Sequence, residues 1–303
     1  MKKLIAFVLT VILAISSLVA CTSSNNSGAG NTGGNQGSGS GGAPNFDSNR
    51  PISVVTREDG SGTRSAFIEL FGIQDANKND QTTREAIVAD KTDVMMTTVA
   101  NDPYSIGYVS LGSLNNTVKA VGVNGVAATA ANVKNGSYPI QRPFIIATAG
   151  EPTGPTKDFI DFIMSKEGQA VVGARGYIAV NQGAAPYSGS KPSGNIVIGG
   201  SSSVTPLMEK LREEYLAINP NATIEIHMFD SSTGMSGTID GTFDIGMASR
   251  ELKESEAAKL TGVEIALDGI AVIVNPNNPI TDISRENVKR IYIGDATIWS
   301  DIK

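Results

Sequence analysis

Three loops of the sequence combine glycine with serine or threonine at the point where a predicted strand ends and a predicted helix begins. Unpartnered backbone N–H groups at a helix start, together with the positive end of the helix dipole, suit an anion. Serine and threonine hydroxyls add hydrogen-bond donors without adding charge. One such loop alone would be interpreted as an ordinary helix N-cap. Together they predict a site for a small tetrahedral oxyanion, in the segments VVTREDGSGTRSAF (54–67), IVIGGSSSVTPLM (196–208) and MFDSSTGMSG (228–237).

Arg57 stands four residues before Ser61 in the first of these loops. The chain has a formal net charge of -6, so an anion must be held by local groups and not by a general positive field. A guanidinium offers paired donors to two oxygens of one ligand. We therefore predict that Arg57 is the only side-chain cation in contact with the ligand. The alternative is a surface arginine paired with Asp59.

Nucleotide-binding and catalytic motifs are missing from the sequence. The loops lack the lysine of a P-loop and the third glycine of a dinucleotide fingerprint, and no G-x-S-x-G elbow occurs. The one histidine, His227, lies in a predicted strand, where we interpret it as a strand residue and not as a base or metal ligand. A hydrolase with Ser61 as its nucleophile would lack an evident activating group. The sequence indicates a binding protein with no catalytic residue, cofactor or metal.

The N-terminal 45 residues are typical of a targeting segment followed by a tether. Residues 1–21 carry two lysines and an apolar run and end in Leu-Val-Ala-Cys, the pattern of a lipoprotein signal peptide with a lipidated Cys21. Cys21 is the only cysteine of the chain, so it cannot form an intramolecular disulfide; an ordinary signal peptide with a chance cysteine is the alternative. Residues 22–45 are almost entirely Gly, Ser, Asn and Thr and predict a flexible tether. A lipid on Cys21 would anchor the protein to a membrane.

The rest of the chain alternates short β-branched runs with helical patterns, which predicts an α/β fold with helices on both faces of the sheet. A strand is predicted at 52–56 and a helix at 63–71, ended by Gly72. Apolar residues at helical spacing predict a further helix at 204–218. The continuous apolar run 270–274 predicts a buried strand.

Five segments of the chain resemble the phosphate-binding proteins of ABC-type phosphate importers, members of the two-lobed periplasmic-binding-protein superfamily. The segments are ISVVTREDGSGTRSAF, FIDFIMSKEGQAVV, IGGSSSVTPLMEKLREEY, FDIGMASRELKESE and LDGIAVIVNPNNPITDISRENVKRIYIGDATIWSDI. The resemblance implies a two-lobed α/β fold of type II, in which the ligand lies between the lobes and Asp59 braces Arg57. It also implies that the phosphate contacts come from Arg57, Ser61, Gly62, Thr63, Ser202, Ser203 and Ser231.

The order of these segments departs from the family. There the GSSS segment comes first and the DGSGT segment follows the tryptophan segment, whereas this chain begins with DGSGT and ends with the tryptophan segment. We interpret the sequence as circularly permuted, since exposed loops tolerate such cuts; a truncated or rearranged gene product is the alternative. The permutation predicts that residues near 48 and near 303 lie close together on one lobe. The predicted lobes are 46–143 plus 268–303, and 144–267.

One residue of this chain departs from the family pattern at the expected phosphate site. The family, in its best-known form, follows the DIGMAS-type segment with an aspartate that accepts the proton of phosphate, and this chain has Arg250 at that point. The acceptor must then come from elsewhere. We favour Asp268, which falls where the chain is expected to cross between the lobes. The other candidates are Asp59, Asp230 and Asp244.

By resemblance, the expected protein is an extracytoplasmic lipoprotein, a monomer anchored to the outer face of the cell membrane. It would bind inorganic phosphate between its lobes and deliver it to the permease subunits of an ABC importer, with lobe closure as the signal that the permease reads. No nucleic acid partner is expected. Three alternatives remain, namely a binding protein for sulfate, molybdate or tungstate, an extracellular phosphate-handling hydrolase, and a surface adhesion or sensing protein without a ligand.

Overall fold

The computed structural model describes residues 46–302, so the predicted signal peptide, Cys21 and the tether lie outside the described range. The described residues form one compact unit. Its strands are β1 (Ser53–Arg57), β2 (Ile87–Ala89), β3 (Ser105–Ser110), β4 (Lys119–Val123), β5 (Gln141–Thr148), β6 (Ile178–Ala179), β7 (Gly194–Ser201), β8 (Ala222–Phe229), β9 (Ile245–Ala248), β10 (Thr261–Val274) and β11 (Asp282–Ile283). Its α-helices are α1 (Gly62–Phe71), α2 (Thr92–Asn101), α3 (Ala130–Lys134), α4 (Gly154–Met164), α5 (Lys166–Ala174), α6 (Thr205–Ile218), α7 (Ser231–Ile239), α8 (Glu254–Ala257) and α9 (Arg285–Tyr292).

One sheet runs through this unit in the strand order β2-β1-β3-β10-β5-β9-β7-β8. Strands β2, β1 and β3 are parallel at one end, and β9, β7 and β8 are parallel at the other. β10 pairs antiparallel with β5 through its first part and with β3 through residues 270–274, so it connects the two parallel sets. The predicted strand at 270–274 is therefore the second part of a longer strand. The apolar pattern marks only this part because Asp268 and Gly269 interrupt it.

Two large hydrophobic cores lie on the two parts of the sheet, and a small third cluster contains Ala147, Met235, Ala248 and Leu260. The first contains residues from 54–140 and 270–299, among them the stacked rings of Phe67 and Tyr108. The second contains residues from 144–266. Ile178 packs into the first core although its neighbours in sequence belong to the second. The two-lobed α/β fold predicted from the sequence is confirmed, and we call the two parts the first and second lobe.

The helices next to the predicted anion loops start and end close to where the sequence places them. α1 begins one residue earlier than predicted, and Gly72 ends it in a left-handed conformation with φ of 69°. That conformation suits glycine because glycine has no Cβ to clash with the backbone. α6 begins at Thr205 and ends at Ile218.

The two ends of the described chain lie side by side on the first lobe. Ser300 N donates to Ser48 O at 2.7 Å, and Ile52 N donates to Thr297 O at 2.8 Å. Pro51 forms an isolated antiparallel bridge with Ile298. The predicted proximity of these two regions is confirmed, while the circular permutation itself stays a prediction.

Candidate functional site

The three glycine and serine loops predicted from the sequence meet between the two lobes. Arg57 Nη2 donates to Ser202 Oγ at 3.0 Å, and the hydroxyl oxygens of Thr63 and Ser203 lie 2.8 Å apart. Ser232 N donates to Gly60 O at 3.2 Å. These contacts join loop 54–67 of the first lobe to both loops of the second lobe.

The polar side chains at this meeting point are withdrawn from water. Arg57 is only 2% exposed. Burying a charged or hydroxyl group is costly unless hydrogen bonds replace those made with water. A concentration of such groups between two lobes therefore indicates a site for a polar ligand. The buried hydroxyl side chains from the predicted set are Ser61, Thr63, Ser202, Ser203 and Ser231.

Each loop leads into a helix start, which supplies backbone N–H groups. Ser61 is the N-cap of α1, and its Oγ accepts from Arg64 N at 3.3 Å. Asp230 is the N-cap of α7 and accepts from Thr233 N at 2.9 Å. The first turns of these helices leave several N–H groups without intrahelical partners. The site thus combines hydroxyl donors with backbone donors.

Gly60 and Gly62 allow loop 54–67 to approach the second lobe closely. Gly60 has a φ of +86°, and a Cβ at this position would lie 2.5 Å from Asp230 Oδ1. A Cβ on Gly62 would overlap Ser231 Oγ and lie 2.7 Å from Ser249 Oγ. A side chain at either position would push the two lobes apart, so the close contact requires glycine at both.

Glu58, and not Asp59, holds the buried Arg57. Both oxygens of Glu58 accept from the guanidinium, with Nε–Oε2 and Nη2–Oε1 distances of 2.7 Å. Asp59 instead pairs with Arg64 at 2.8 Å, and its side chain is 98% exposed. The prediction that Asp59 braces Arg57 is wrong, because Asp59 lies in the turn after β1 and projects into solvent.

Asp268 lies on β10 at the crossing between the lobes, but its partner is Arg142. The two side chains are each 1% exposed and form an ion pair of 3.0 Å. Burial raises the pKa of Asp268, and the charge and hydrogen bonds of Arg142 oppose this shift. Arg142 also donates to Ser249 O at 3.1 Å, close to the site. These contacts do not support the prediction that Asp268 accepts a proton from the ligand.

Thr92 and Ser249 belong to the site and are not predicted from the sequence. Thr92 Oγ1 lies 3.2 Å from Ser202 Oγ and 3.3 Å from Ser203 Oγ, and it accepts from Arg57 Nη1 at 3.3 Å. Ser249 N donates to Ser231 Oγ at 3.1 Å. Thr92 begins α2 shortly after β2, which is the same strand, loop and helix order, but its loop contains no glycine.

Tyr108 positions the end of β1 from the neighbouring strand β3. Its hydroxyl oxygen accepts from Arg57 N at 3.0 Å and lies 2.9 Å from Thr56 Oγ1. Burial raises the pKa of Tyr108 to about 12, so the hydroxyl keeps its proton at neutral pH. A protonated hydroxyl can accept from the Arg57 backbone and still donate to Thr56. Tyr108 therefore fixes the backbone from which the Arg57 side chain extends.

A cavity of about 820 Å³ opens beside these loops, between α1 and segment 250–254. Ser61, Arg142 and Arg250 are among the residues that line it. Within residues 46–302, no cluster of His, Cys, Asp or Glu side chains is arranged to hold a metal ion. No helix in the same range is both long and apolar enough to cross a bilayer.

Comparison with known proteins identifies a family for most of the chain. The family described as "PBP superfamily domain" matches residues 35–167 and 185–303. A relative from Streptococcus agalactiae, named "Phosphate-binding protein PstS 2", is 52% identical over 257 residues, which cover 83% of this chain and 87% of the relative. A protein of the same name from Streptococcus pneumoniae is 42% identical over 255 residues, which cover 83% of this chain and 88% of the relative.

A solved structure shares the fold as well as the sequence. It is a phosphate-binding protein of a phosphate ABC transporter from Streptococcus pneumoniae TIGR4. The two proteins are 41% identical, and their structures superpose with a TM-score of 0.68 over 84% of this chain and 100% of the other. The similarity therefore extends over both lobes.

Proposed function

The chain belongs to the phosphate-binding proteins of the PBP superfamily, and from this membership we propose that it binds inorganic phosphate between its lobes for import by an ABC transporter. The observation that carries the proposal is the convergence of buried donors from three loops around Arg57. Such donors can replace the water that a phosphate ion loses on binding. The proposed ligand contacts are Arg57, Ser61, Gly62, Thr63, Ser202, Ser203 and Ser231, with Thr92 added from the structure.

The charges around the site support binding through oriented donors. Arg57 is paired with Glu58, Arg142 with Asp268, and both pairs are buried or nearly so. A ligand anion therefore enters a region whose formal charges already balance. Its negative charge would be stabilised by hydroxyl and backbone N–H dipoles held in place by the fold.

We propose that the lobes comprise 46–143 plus 268–303 and 144–267, and that they close on the ligand. The chain crosses between them at the start of β5 and in the middle of β10, where Asp268 pairs with Arg142. Contacts such as Gly60 with Ser232 and Thr63 with Ser203 form only when the loops of both lobes are together. The permease would then distinguish the closed, loaded form from the open form.

The N-terminal segment defines the proposed location. Cys21 would carry a lipid that anchors a monomer to the outer face of the cell membrane, and residues 22–45 would act as the tether. Both regions lie outside the described residues. The proposal rests on the signal-peptide pattern of residues 1–21.

We also propose that the segment order is a circular permutation native to the protein. The contact between Ser300 and Ser48 supports it, because a short loop would join these two regions. The Streptococcus agalactiae relative aligns over 257 residues, 83% of this chain and 87% of the relative, which supports a segment order common to both proteins.

Binding without catalysis fits the surroundings of Ser61. Its Oγ accepts from Arg64 N, and the side chain of His227 is half exposed on β8. A nucleophilic serine needs an adjacent base, and no contact of Ser61 within residues 46–302 supplies one. An assay of phosphomonoester hydrolysis with added divalent metals is expected to give no turnover.

Calorimetric titration of the full chain with inorganic phosphate tests the proposed function. We expect saturable binding with one phosphate per chain. Absence of any phosphate binding by a folded protein would contradict the proposal.

A further inference from the structure

Arg250 forms part of the second-lobe wall of the site, directly after β9. The residue is 5% exposed. A Cβ on Gly62 would lie 3.1 Å from Arg250 Cγ, and Arg250 Nη2 donates to Ser232 Oγ at 3.3 Å. Arg250 therefore lies beside the first-lobe loop 54–67 and is hydrogen-bonded to the first turn of α7.

Glu256 holds the guanidinium of Arg250 in place. Nη1 donates to Oε2 at 2.7 Å and Nη2 donates to Oε1 at 2.8 Å. The Nε–H group is buried, and no residue of the described chain accepts from it. A buried donor without an acceptor is costly, so this group is suited to an acceptor that arrives with a ligand.

The carboxylates near the three loops already have partners within the protein. Arginine side chains or backbone N–H groups donate hydrogen bonds to these carboxylates, and Asp59, in the turn after β1, is exposed. Each of these carboxylates within residues 46–302 is therefore engaged by the protein before a ligand arrives. The pairs are Glu58 with Arg57, Asp268 with Arg142, Glu256 with Arg250, Asp59 with Arg64, Asp230 with Thr233 N, and Asp244 with Val197 N.

The kinds of group that line the site determine which property of an anion it can recognise. Phosphate carries a proton at neutral pH and sulfate does not, so a free carboxylate would accept a hydrogen bond from phosphate and repel sulfate. Hydroxyl groups can donate or accept, and therefore suit both anions. Guanidinium and backbone N–H groups donate to either anion. A site built from these groups recognises size, shape and charge, and not the proton.

We propose that Arg250 is a second ligand-binding cation and that the site consequently accepts sulfate as well as phosphate. The inference rests on the proposed function, since it concerns the same site. It replaces the prediction that Arg57 is the only cation in contact with the ligand. It also removes the need for Asp268 as a proton acceptor.

Calorimetry of the full chain, purified in detergent, with phosphate and with sulfate at neutral pH tests the selectivity. We expect the two dissociation constants to agree within about a hundredfold, a difference of less than about 3 kcal/mol. A larger preference for phosphate would overturn the proposal. That outcome would leave the proposed function standing, whereas sulfate binding without phosphate binding, or binding of neither anion, would contradict both.

Substitution of Arg250 tests its role directly. Arg250→Gln is expected to weaken phosphate and sulfate binding alike, by at least about tenfold, because a charged donor is lost. Arg250→Asp is expected to shift the preference toward phosphate by at least about tenfold, because it introduces an acceptor that repels sulfate. Lys259→Gln removes an exposed cation from the same lobe and is the matched control, with both affinities unchanged.

Unchanged affinity of folded Arg250→Gln for both anions would overturn the assignment of Arg250. Thermal unfolding shows whether each variant is folded. The ratio of the two dissociation constants, for phosphate and for sulfate, is measured on the parent protein. The selectivity therefore remains testable even if the substitutions prevent folding.

Discussion

Arg57 extends from the end of β1 into a group of hydroxyls, where its Nη atoms reach Ser202 and Thr92. Arg57→Ala is expected to weaken phosphate binding by at least about 2 kcal/mol, since hydrogen bonds to charged groups contribute about 1.5 to 3 kcal/mol. The loss should exceed that from removing any single hydroxyl. Calorimetry measures it, with Arg84→Ala, an exposed arginine of the same lobe, as the control. Equal phosphate affinity in Arg57→Ala and the parent would refute the assignment.

Removing the charge of Glu58 is expected to weaken phosphate binding, whereas removing the charge of the adjacent Asp59 is not. Glu58→Gln removes the charge that holds the guanidinium, so phosphate binding should weaken by roughly 1 kcal/mol or more, the net contribution of a hydrogen bond to a charged group. Asp59→Asn changes only an exposed ion pair with Arg64, which contributes about 0 to 1 kcal/mol to stability and should leave binding unchanged. Titration of both variants with phosphate gives the comparison, and equal effects would argue against the pairing in the structure.

The sequence predicts the site residues that belong to a local motif and misses those that do not. Ser61, Ser202 and Ser231 follow strands in glycine-containing loops, so their spacing alone indicates an anion site. Thr92 reaches the same site from a loop without glycine, and only the packing of β2 beside β1 brings it there. The choice between Glu58 and Asp59 depends on the direction of each side chain at the end of a strand, which a sequence pattern does not record.

At the scale of the elements, β3 supports the end of β1 through the hydroxyl of Tyr108. Tyr108→Phe leaves the Arg57 N–H and the Thr56 hydroxyl without this partner, which is expected to cost about 1 to 3 kcal/mol of stability. Phosphate affinity should also fall, because the backbone that carries Arg57 is less well fixed. Tyr138→Phe is the matched control, since the buried Tyr138 hydroxyl donates to Ile270 O away from the loops. Thermal unfolding and calorimetry should show lower stability for both variants and weaker binding only for Tyr108→Phe.

In the proposed closed site, the start of α1 comes within contact distance of α7. Gly62→Ala places a methyl group against Ser231 Oγ and Ser249 Oγ, so phosphate affinity should fall by more than about tenfold. Stability should not fall in parallel, because alanine is favoured over glycine in a helix by about 0.5 to 1 kcal/mol. Gly173→Ala, in α5 with open space around the position, is the control. Parent-like binding by Gly62→Ala would show that the lobes do not need this close contact.

The two halves of β10 illustrate why elements that cross between lobes are hard to predict. Its second half reads as a buried strand because residues 270–274 are all apolar. Its first half changes from exposed at Thr261 to buried at Gly269 and carries Asp268 before Gly269, a sequence that resembles a turn. The charge of Asp268 is balanced by the buried Arg142, which lies on β5 and is 126 residues away in sequence. Tertiary contacts of this kind override the local pattern.

For the molecule as a whole, the proposed attachment to the membrane depends on one residue. Cys21→Ala should leave the precursor unprocessed or release the protein into the medium, because the proposed lipid attachment site is lost. Membrane fractionation with detection of the protein measures this. A Cys21→Ala variant that remains processed and membrane-bound would rule out lipidation at this position.

The segment order of the family can be restored experimentally by moving the chain ends. A chain that starts at Pro192, joins residue 302 to residue 46 through a short linker and ends at Lys191 is expected to fold and to bind phosphate within about threefold of the parent. The physical reason is that Ser48 and Ser300 are already hydrogen-bonded, so joining the ends requires little strain. Circular dichroism and calorimetry check the outcome, and a chain that does not fold would argue against the permutation.

The position of β10 near the end of the chain also affects the timing of folding during synthesis. Both cores depend on this strand, and Trp299 and Tyr292 complete the first one through hydrogen bonds to Tyr104 O and Val55 O. Domains ordinarily fold in order as the chain emerges from the ribosome. Here the early strands of the first core have to wait until residues 270–299 have been made, whereas the second core comes from the continuous stretch 144–266. The first lobe is therefore expected to complete its core only after the second lobe has been synthesised, so that the early strands stay unpaired, as a chain that is to be threaded through a membrane requires.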